Sequence, residues 1–498
     1  MNSISFKNFR KYSDFPTLPL GKLNLFVGQN NSGKSTAIKA ILLALVNASR
    51  VFNYNCYGGG FYLPLESFSF VNTLDAHIHL GDYANNLHNQ SLSTAMCFSL
   101  DTEDYRGSNS FPLHNVRVVI SFELNGSNLE KGGALLSVPL SRVAYDFPKY
   151  FASIDFNSID SGDFAKFSFS LRGIHILMED LRTEYNYAFA GSRDFDSDDD
   201  VMALKALLRD LQDRYLQESL TVPWREYDDM GTIVFEDSQI GAFGLSEQGK
   251  DGLRYAIRCL RFKAEDIFQH LRVEFIEAHS ASHSELLYEE DKNNYLAQTV
   301  AKYESAHIGF TSDARRFVLK WLRLFNIGED FKVIRPFSEV LRVEIKTKTG
   351  WRSLGAMGTG SIQVFILLLR VAIAIDNKKS VALFVEEPEQ NLHPALQSLL
   401  TDMFIDAIEI SKHLLQFVVE THSEYMVRRT QVSVASMIRD SEKDIDSINE
   451  LIKVYYFPEN DAPYSMEFRS TGQFEHNFGQ GFFDEAGKNY RALLERSL

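Results

Sequence analysis

At 498 residues, with 45% hydrophobic and 23% charged residues, the chain has a globular balance and length for more than one core. Its net charge of −15 argues against diffuse nucleic-acid binding over the whole surface, permits a local basic stripe and suits a basic protein partner. Cys56, Cys97 and Cys259 lie too far apart for a metal knuckle or disulfide framework and fit a reducing compartment. The start, MNSISFKNFRKY, has no signal-peptide apolar core. The apolar stretch 365–375, broken by Arg370, is too short to cross a bilayer. A cytoplasmic protein with no membrane partner is expected.

Ile4 to Phe9 alternates as an edge strand should. Leu23 to Val27 reads as a short buried strand, and Thr36 to Asn47 as a helix. Between them, Gly28-Gln29-Asn30-Asn31-Ser32-Gly33-Lys34-Ser35-Thr36 fits the phosphate-binding pattern G-x-x-x-x-G-K-[ST] in full. The glycines let backbone N–H groups turn inward around phosphate oxygens, and the new helix points its positive end at them. Lys34 is placed to reach the β/γ-phosphates, and the Ser35 hydroxyl to ligate Mg²⁺. The chain is therefore expected to bind a nucleoside triphosphate, with ATP and Mg²⁺ as cofactors.

Residues 50–110 read as loops and short strands, and Val116 to Leu124 as a strand. Residues 145–245 are polar and irregular, with an acidic run from Asp194 to Asp200 that reads as a solvated loop. Two helices are predicted, over about 199–218 and 247–270. On the second, Arg254, Arg258 and Arg261 form a basic line, read first as a solvated face and second as a nucleic-acid stripe. From Val333 onward the order is α/β: a strand near 340–345, a helix over 361–375, a buried strand at 381–385, a helix over 394–410 and a buried strand at 414–419. The strand at 381–385 runs into Glu386-Glu387-Pro388-Glu389. A strand delivering carboxylates beside a phosphate loop is how such ATPases hold Mg²⁺ and activate water. Glu386 takes the metal position, directly or through water, and Glu387 the general base.

The phosphate loop, V-E-E-P-E-x-N-L-H-P ending at Pro394, and Glu420-Thr421-His422-Ser423 occur in that order. Together they resemble the ABC-type ATPase heads of the SMC, RecF and overcoming-lysogenization-defect superfamily. The resemblance covers roughly residues 1–125 and 333–430. It implies an α/β ABC-type head, a mixed β-sheet with flanking helices, split by a large, partly helical insertion. Three segments follow from it. Residues 1–125 would be the N-terminal half of the head, 126–332 an insertion that recognises a partner or DNA, and 333–498 the C-terminal half. The resemblance also implies a signature loop that caps ATP from a second subunit. The matching stretch is 354–361, with Gly358, Gly360 and Ser361 as phosphate contacts. His422 matches the switch histidine that contacts the γ-phosphate, and Gln90 is a candidate for the glutamine linking metal and lobe.

The run E-T-H-S-E-Y and the ending Gly481-Phe482-Phe483-Asp484 further resemble ATPase subunits of bacterial anti-phage systems of the Septu and PARIS types. The function so implied is an ATP-hydrolysing dimeric switch, or a higher even-numbered oligomer, that senses infection and controls a separate nuclease effector. DNA is a further candidate partner. One alternative is a stand-alone DNA-repair or DNA-clamp ATPase; another is a nuclease with its own metal site. Against the latter, too little chain follows His422 for a Toprim domain, Asp444-Ile445-Asp446 lacks an upstream strand-borne Glu, and no H-N-H pattern occurs. A transporter subunit fits poorly with so large an insertion.

Overall fold

The computed structural model describes residues 1–52, 67–70, 83–88, 96–104, 116–124, 137–146, 151–157, 166–172, 220–227, 232–235, 246–252, 272–277, 283–441 except 292, and 444–479, with isolated positions in 202–210 and 483–492. In chain order, β1 (Ser3–Phe9), β2 (Tyr12–Pro19), β3 (Leu23–Gly28) and α1 (Lys34–Phe52) come first. Next are β4 (Ser67–Ser69), α2 (Tyr83–Asn86), β5 (Met96–Asp104), β6 (Val116–Leu124), β7 (Ser137–Asp146), β8 (Phe151–Asn157), β9 (Lys166–Arg172), β10 (Leu220–Tyr227) and β11 (Thr232–Phe235). After these lie β12 (Arg272–Ile276), β13 (Leu287–Tyr288), α3 (Tyr295–Ser305), α4 (Asp313–Leu324), β14 (Asp330–Phe337), β15 (Val340–Thr347), β16 (Gly350–Ser353) and α5 (Thr359–Asn377). The last are β17 (Val381–Glu386), α6 (Pro394–Ile410), β18 (Leu415–Thr421), α7 (Glu424–Ser441), α8 (Ile445–Leu451), β19 (Ile452–Phe457) and β20 (Tyr464–Ser465). The fold class is α/β, with mixed sheets and flanking helices.

The chain divides into two compact units. The first comprises Met1–Pro19, Lys39–Thr73 and His77–His270. It is built on an antiparallel sheet of order β11-β10-β9-β8-β7-β6-β5-β1-β2, with β4 paired to β7. Alternation places Phe6, Phe98 and Phe122 on one face, where Phe6 stacks on Phe15 at 4.1 Å and Phe98 on Phe68 at 5.2 Å. This sheet corrects two sequence expectations. Residues 145–245 are not simply irregular: β8 to β11 form one continuous ladder there. And β1 is not an edge, because β2 and β5 pair on its two sides. The boundary read at 125 falls between β6 and β7, which are hydrogen-bonded neighbours.

Of the predicted helix over 199–218, the described positions Met202, Ala203, Ala206, Leu207, Arg209 and Asp210 are helical. Of the helix over 247–270, residues 247–252 are described and helical. Arg254, Arg258, Arg261, Gln90 and the acidic run lie outside the described residues.

The second unit comprises Leu20–Ile38, Leu74–Ala76 and Leu271–Leu498. Its central sheet has the order β12-β17-β18-β3-β19-β20, parallel except for β20. The strands β3, β17 and β18 are buried on both faces and largely apolar, as strands covered on two sides must be. A smaller antiparallel sheet orders β13-β15-β14, with β16 on β15. The helix α1 starts two residues before the sequence reading and runs longer, and α6 spans the residues expected. By length and composition α5 could cross a membrane, but 78% of its apolar window is buried within the molecule. Its one charged core residue explains why it belongs there. Arg370, 2% exposed, bonds Glu274 at 2.8 Å and the Thr299 hydroxyl at 2.9 Å, and stacks over Tyr295. A buried cation so partnered ties α5 to β12 and α3.

Candidate nucleotide-binding site

Strands β17, β18, β3 and β19 end together. Glu386 is level with Glu420, Glu420 with Phe26, and Phe457 with Gly28. The carboxyl ends of neighbouring parallel strands make the crevice in which α/β proteins hold ligands.

The phosphate loop joins β3 to α1 here. Gly28 is required by close approach: a Cβ would sit 2.5 Å from the Phe457 carbonyl oxygen and 2.8 Å from Ser32 Oγ. Asn31 and Gly33 take positive φ of 61° and 103°, the left-handed turns that open the loop. Asn30 and Asn31 are exposed, Ser32 is buried, and Gly33, Ser35 and Thr36 are half-buried. Lys34 is 2% exposed. Its Nζ donates to the Gly28 carbonyl at 3.1 Å and the Gln29 carbonyl at 2.8 Å, and lies 3.9 Å from Glu420 Oε1. The Ser35 hydroxyl donates to the same Glu420 oxygen at 2.8 Å.

Across the sheet, Glu386 closes β17 and Glu387 begins the turn with φ 39°, a left-handed conformation uncommon for non-glycine residues. The Glu387 N–H donates to the Glu420 carbonyl at 2.8 Å. One carboxylate oxygen of Glu387 faces His422 Nε2 at 3.5 Å, and the other accepts from Gln390 Nε2. The contact with His422, helped by Gln390 and opposed by partial burial, pulls the Glu387 carboxyl down to about 2. His422 is fixed from behind: its backbone N–H donates to Glu389 Oε1 at 2.7 Å. Burial pushes the Glu389 and Glu420 carboxyls above the usual range. Ser423 anchors the next helix, accepting from the Met426 N–H at 3.2 Å as an N-cap does and donating to Gln397 Oε1 at 2.6 Å.

The sequence reading missed Glu420. Among the described residues, Glu387, Glu420 and His422 form the group whose ligand atoms lie within 4.8 Å of one another. The two carboxylates and the Ser35 hydroxyl offer hard oxygen donors that suit Mg²⁺, while His422 offers a ring nitrogen. Glu420 Oε2 is buried without a hydrogen-bond partner, so the donor set fits a divalent cation. In one dimension the only signal was an acid at the end of an apolar strand.

The expected signature residues lie at the start of α5. Gly358 caps it without a side-chain bond and is exposed, and Ser361 N–H donates to the Gly358 carbonyl at 2.9 Å. Gly360 stands in the first turn of α5. It is buried, with the Asn391 carbonyl oxygen 2.5 Å from where a Cβ would stand. His283 braces the stretch, with Nδ1 3.3 Å from the Gly355 carbonyl and Nε2 3.0 Å from the Thr359 hydroxyl.

The family described as AAA ATPase domain matches residues 1–307 and 323–427. That match takes in most of the middle segment, which the motifs alone left unassigned. No curated protein matches the chain. Among solved structures, an Smc head bound to the C-terminal winged-helix domain of ScpA is 13% identical, covers 94% of this chain and 97% of its own, and has a TM-score of 0.41. An Smc head with an extended coiled coil, bound to the C-terminal domain of ScpA from Pyrococcus furiosus, gives 13%, 100% and 99%, with a TM-score of 0.37. The SMC head from Thermotoga maritima gives 11%, 94% and 98%, with 0.34. These likenesses are too distant to transfer geometry.

Proposed function

We propose, from the premise that this chain belongs to the AAA ATPase domain family, that it binds ATP with Mg²⁺ at the carboxyl end of the parallel sheet and hydrolyses it. The observation that carries the reading is the convergence of Lys34, Ser35, Glu387, Glu420 and His422, contributed by chain segments far apart in sequence, on one crevice. Lys34 exchanges its carbonyl contacts for the β/γ-phosphates. A bound cation supplies charge neutralisation of the phosphates.

Glu387 is the general base and His422 its switch. A carboxylate held near 2 accepts a proton poorly. When His422 turns from Glu387 to a γ-phosphate, Glu387 loses the contact that lowers it most and becomes a better base. Water activation is thereby linked to a complete triphosphate. Glu389 takes part indirectly, by holding the His422 backbone.

The start of α5, where Gly358 and Thr359 are exposed and no side chain caps the helix, supports a second clamp that works on the nucleotide of a neighbouring copy. ATP hydrolysis in a dimer, or a higher even-numbered oligomer, then acts as a switch. The resemblance to anti-phage ATPase subunits supports a cytoplasmic role in which this switch senses infection and restrains or releases a separate nuclease. Mass spectrometry of partners co-purified from the native host tests that role; membrane subunits instead of a nuclease would speak against it.

The test of the core reading is Lys34→Ala. ATP binding measured by calorimetry is expected to disappear, because a buried counter-charge to the phosphates is lost. Wild-type affinity in that variant would overturn the assignment of the loop.

A further inference from the structure

We propose that Gln397, near the start of α6, is the positioning residue that ties the segment carrying His422 to the turn carrying Glu387, so that histidine and base keep their alignment during hydrolysis. The inference rests on the roles proposed above for Glu387 and His422 and adds the residue that sets their geometry. His393 caps α6, and the Gln397 N–H donates to the His393 carbonyl at 3.1 Å. That is the first hydrogen bond of the helix, so the backbone at Gln397 is fixed. Its side chain stands where three segments meet: α6 itself, the turn from Glu387 to Leu392, and the junction of β18 with α7.

Gln397 Nε2 donates to the Leu392 carbonyl at 3.0 Å and lies 3.5 Å from the Glu389 carbonyl, while Oε1 accepts from Ser423 Oγ at 2.6 Å. Chemistry sets this orientation of the amide. Carbonyl oxygens only accept, so the NH₂ group must face them, and the amide oxygen is left to the partner that can donate, the Ser423 hydroxyl.

That hydroxyl is used in both directions. It donates to Gln397 and accepts from the Met426 N–H at 3.2 Å, while the Ser423 N–H donates to Thr421 Oγ1 at 3.0 Å. Ser423 is buried, so exchanging any of these partners would strand a polar group away from water. His422 is therefore held twice. Its own N–H is tied to Glu389 Oε1 at 2.7 Å, and the residue after it is tied to Gln397. Both ties lead back to the one turn that begins at Glu387. The 3.5 Å separation of His422 Nε2 from Glu387 Oε1 thus depends on two crosslinks between turn and strand end. Glu389 anchors the backbone at the histidine. Gln397 keeps the following residue in place, so that the ring can turn toward phosphate while its backbone stays put.

Single-turnover phosphate release, affinity for a fluorescent ATP analogue and the melting midpoint together test this. Gln397→Met keeps the length without donor or acceptor. Gln397→Glu still accepts from Ser423 but sets a carboxylate oxygen against the two carbonyls. Each is expected to slow hydrolysis roughly 10–100-fold, the scale of a misplacement of up to about 1 Å, with analogue affinity near that of the wild type because the phosphate loop is untouched. Removing the histidine separates positioning from packing. In a His422→Ala background either substitution should cost almost nothing further, and Ser423→Ala should cost less beside Gln397→Met than alone. A purely structural role would leave the loss undiminished without His422. The proposal is overturned if folded Gln397→Met or Gln397→Glu hydrolyses ATP as the wild type does, if affinity falls in step with rate, or if the full loss persists in the His422→Ala background. Should Gln397→Met fail to fold, Gln397→Glu decides by the same criteria. Absence of hydrolysis by the wild type, or undiminished hydrolysis by His422→Ala, would instead overturn the roles proposed for the site itself.

Discussion

Replacing Gly360 with alanine separates nucleotide binding from hydrolysis. The added methyl would stand 2.5 Å from the Asn391 carbonyl oxygen and 3.0 Å from Leu392 Cδ2. Ordinary contact begins at 3.4 Å, so the turn must retreat by about 0.9 Å (3.4 − 2.5). Overpacking of this size costs about 1–3 kcal/mol, which lowers the melting midpoint by a few degrees in a unit of this size. The turn that moves is the one that starts at Glu387, whose carbonyl accepts from the Gln390 N–H at 3.1 Å. A displacement approaching 1 Å at a catalytic group costs on the order of 100-fold in rate. The phosphate loop is braced by its own carbonyls and by Glu420. Gly360→Ala is therefore expected to keep near-normal ATP affinity by calorimetry and to lose on the order of 100-fold in phosphate release. Wild-type turnover accompanied by the expected drop in melting midpoint would refute the mechanical link between α5 and Glu387.

Glu387→Gln should bind ATP and hydrolyse it on the order of 10²–10⁴ times more slowly, measured by phosphate release; normal turnover there with an inactive Glu386→Gln would show the two acids in reversed roles. Mixing inactive Lys34→Ala with inactive Ser361→Arg should restore some activity through heterodimers with one intact site. No recovery at any ratio, with subunit exchange verified, would count against a site shared between copies.

The elements that form the crevice were legible in the sequence where chemistry and burial coincide. The order Gly28 to Thr36 admits few structures, Val381–Val385 is apolar without interruption, and Leu415–Val419 is apolar but for Gln416, because both faces are covered. Polar residues mark the limit. Strands such as Phe151–Asn157 and Lys166–Arg172 alternate serine, aspartate and aromatics, and without the neighbouring strands that pattern reads as loop. Glu420 was missed for a different reason. Its position beside Ser35 depends on β18 lying between β17 and β3, and the order of strands across a sheet is not written along the chain. The close approach of the Asn391 carbonyl to Gly360 likewise depends on tertiary packing that the order of residues does not spell out.

The parallel sheet joins the two ends of the chain: Asn24 donates through its side chain to the Phe417 carbonyl, 393 residues away. At a synthesis rate of roughly 5–20 residues per second, β3 waits about 20–80 s on the ribosome before β18 exists. During that time Phe26 and its neighbours have no native partner on that side, and the phosphate loop has no carboxylate across from it. A chain interrupted before Glu420 can display a complete phosphate-loop motif and still lack the carboxylate that faces Lys34 and Ser35. The assembled crevice is thus a late product of synthesis, and a cell that shields the early strands during that minute protects the yield of folded protein.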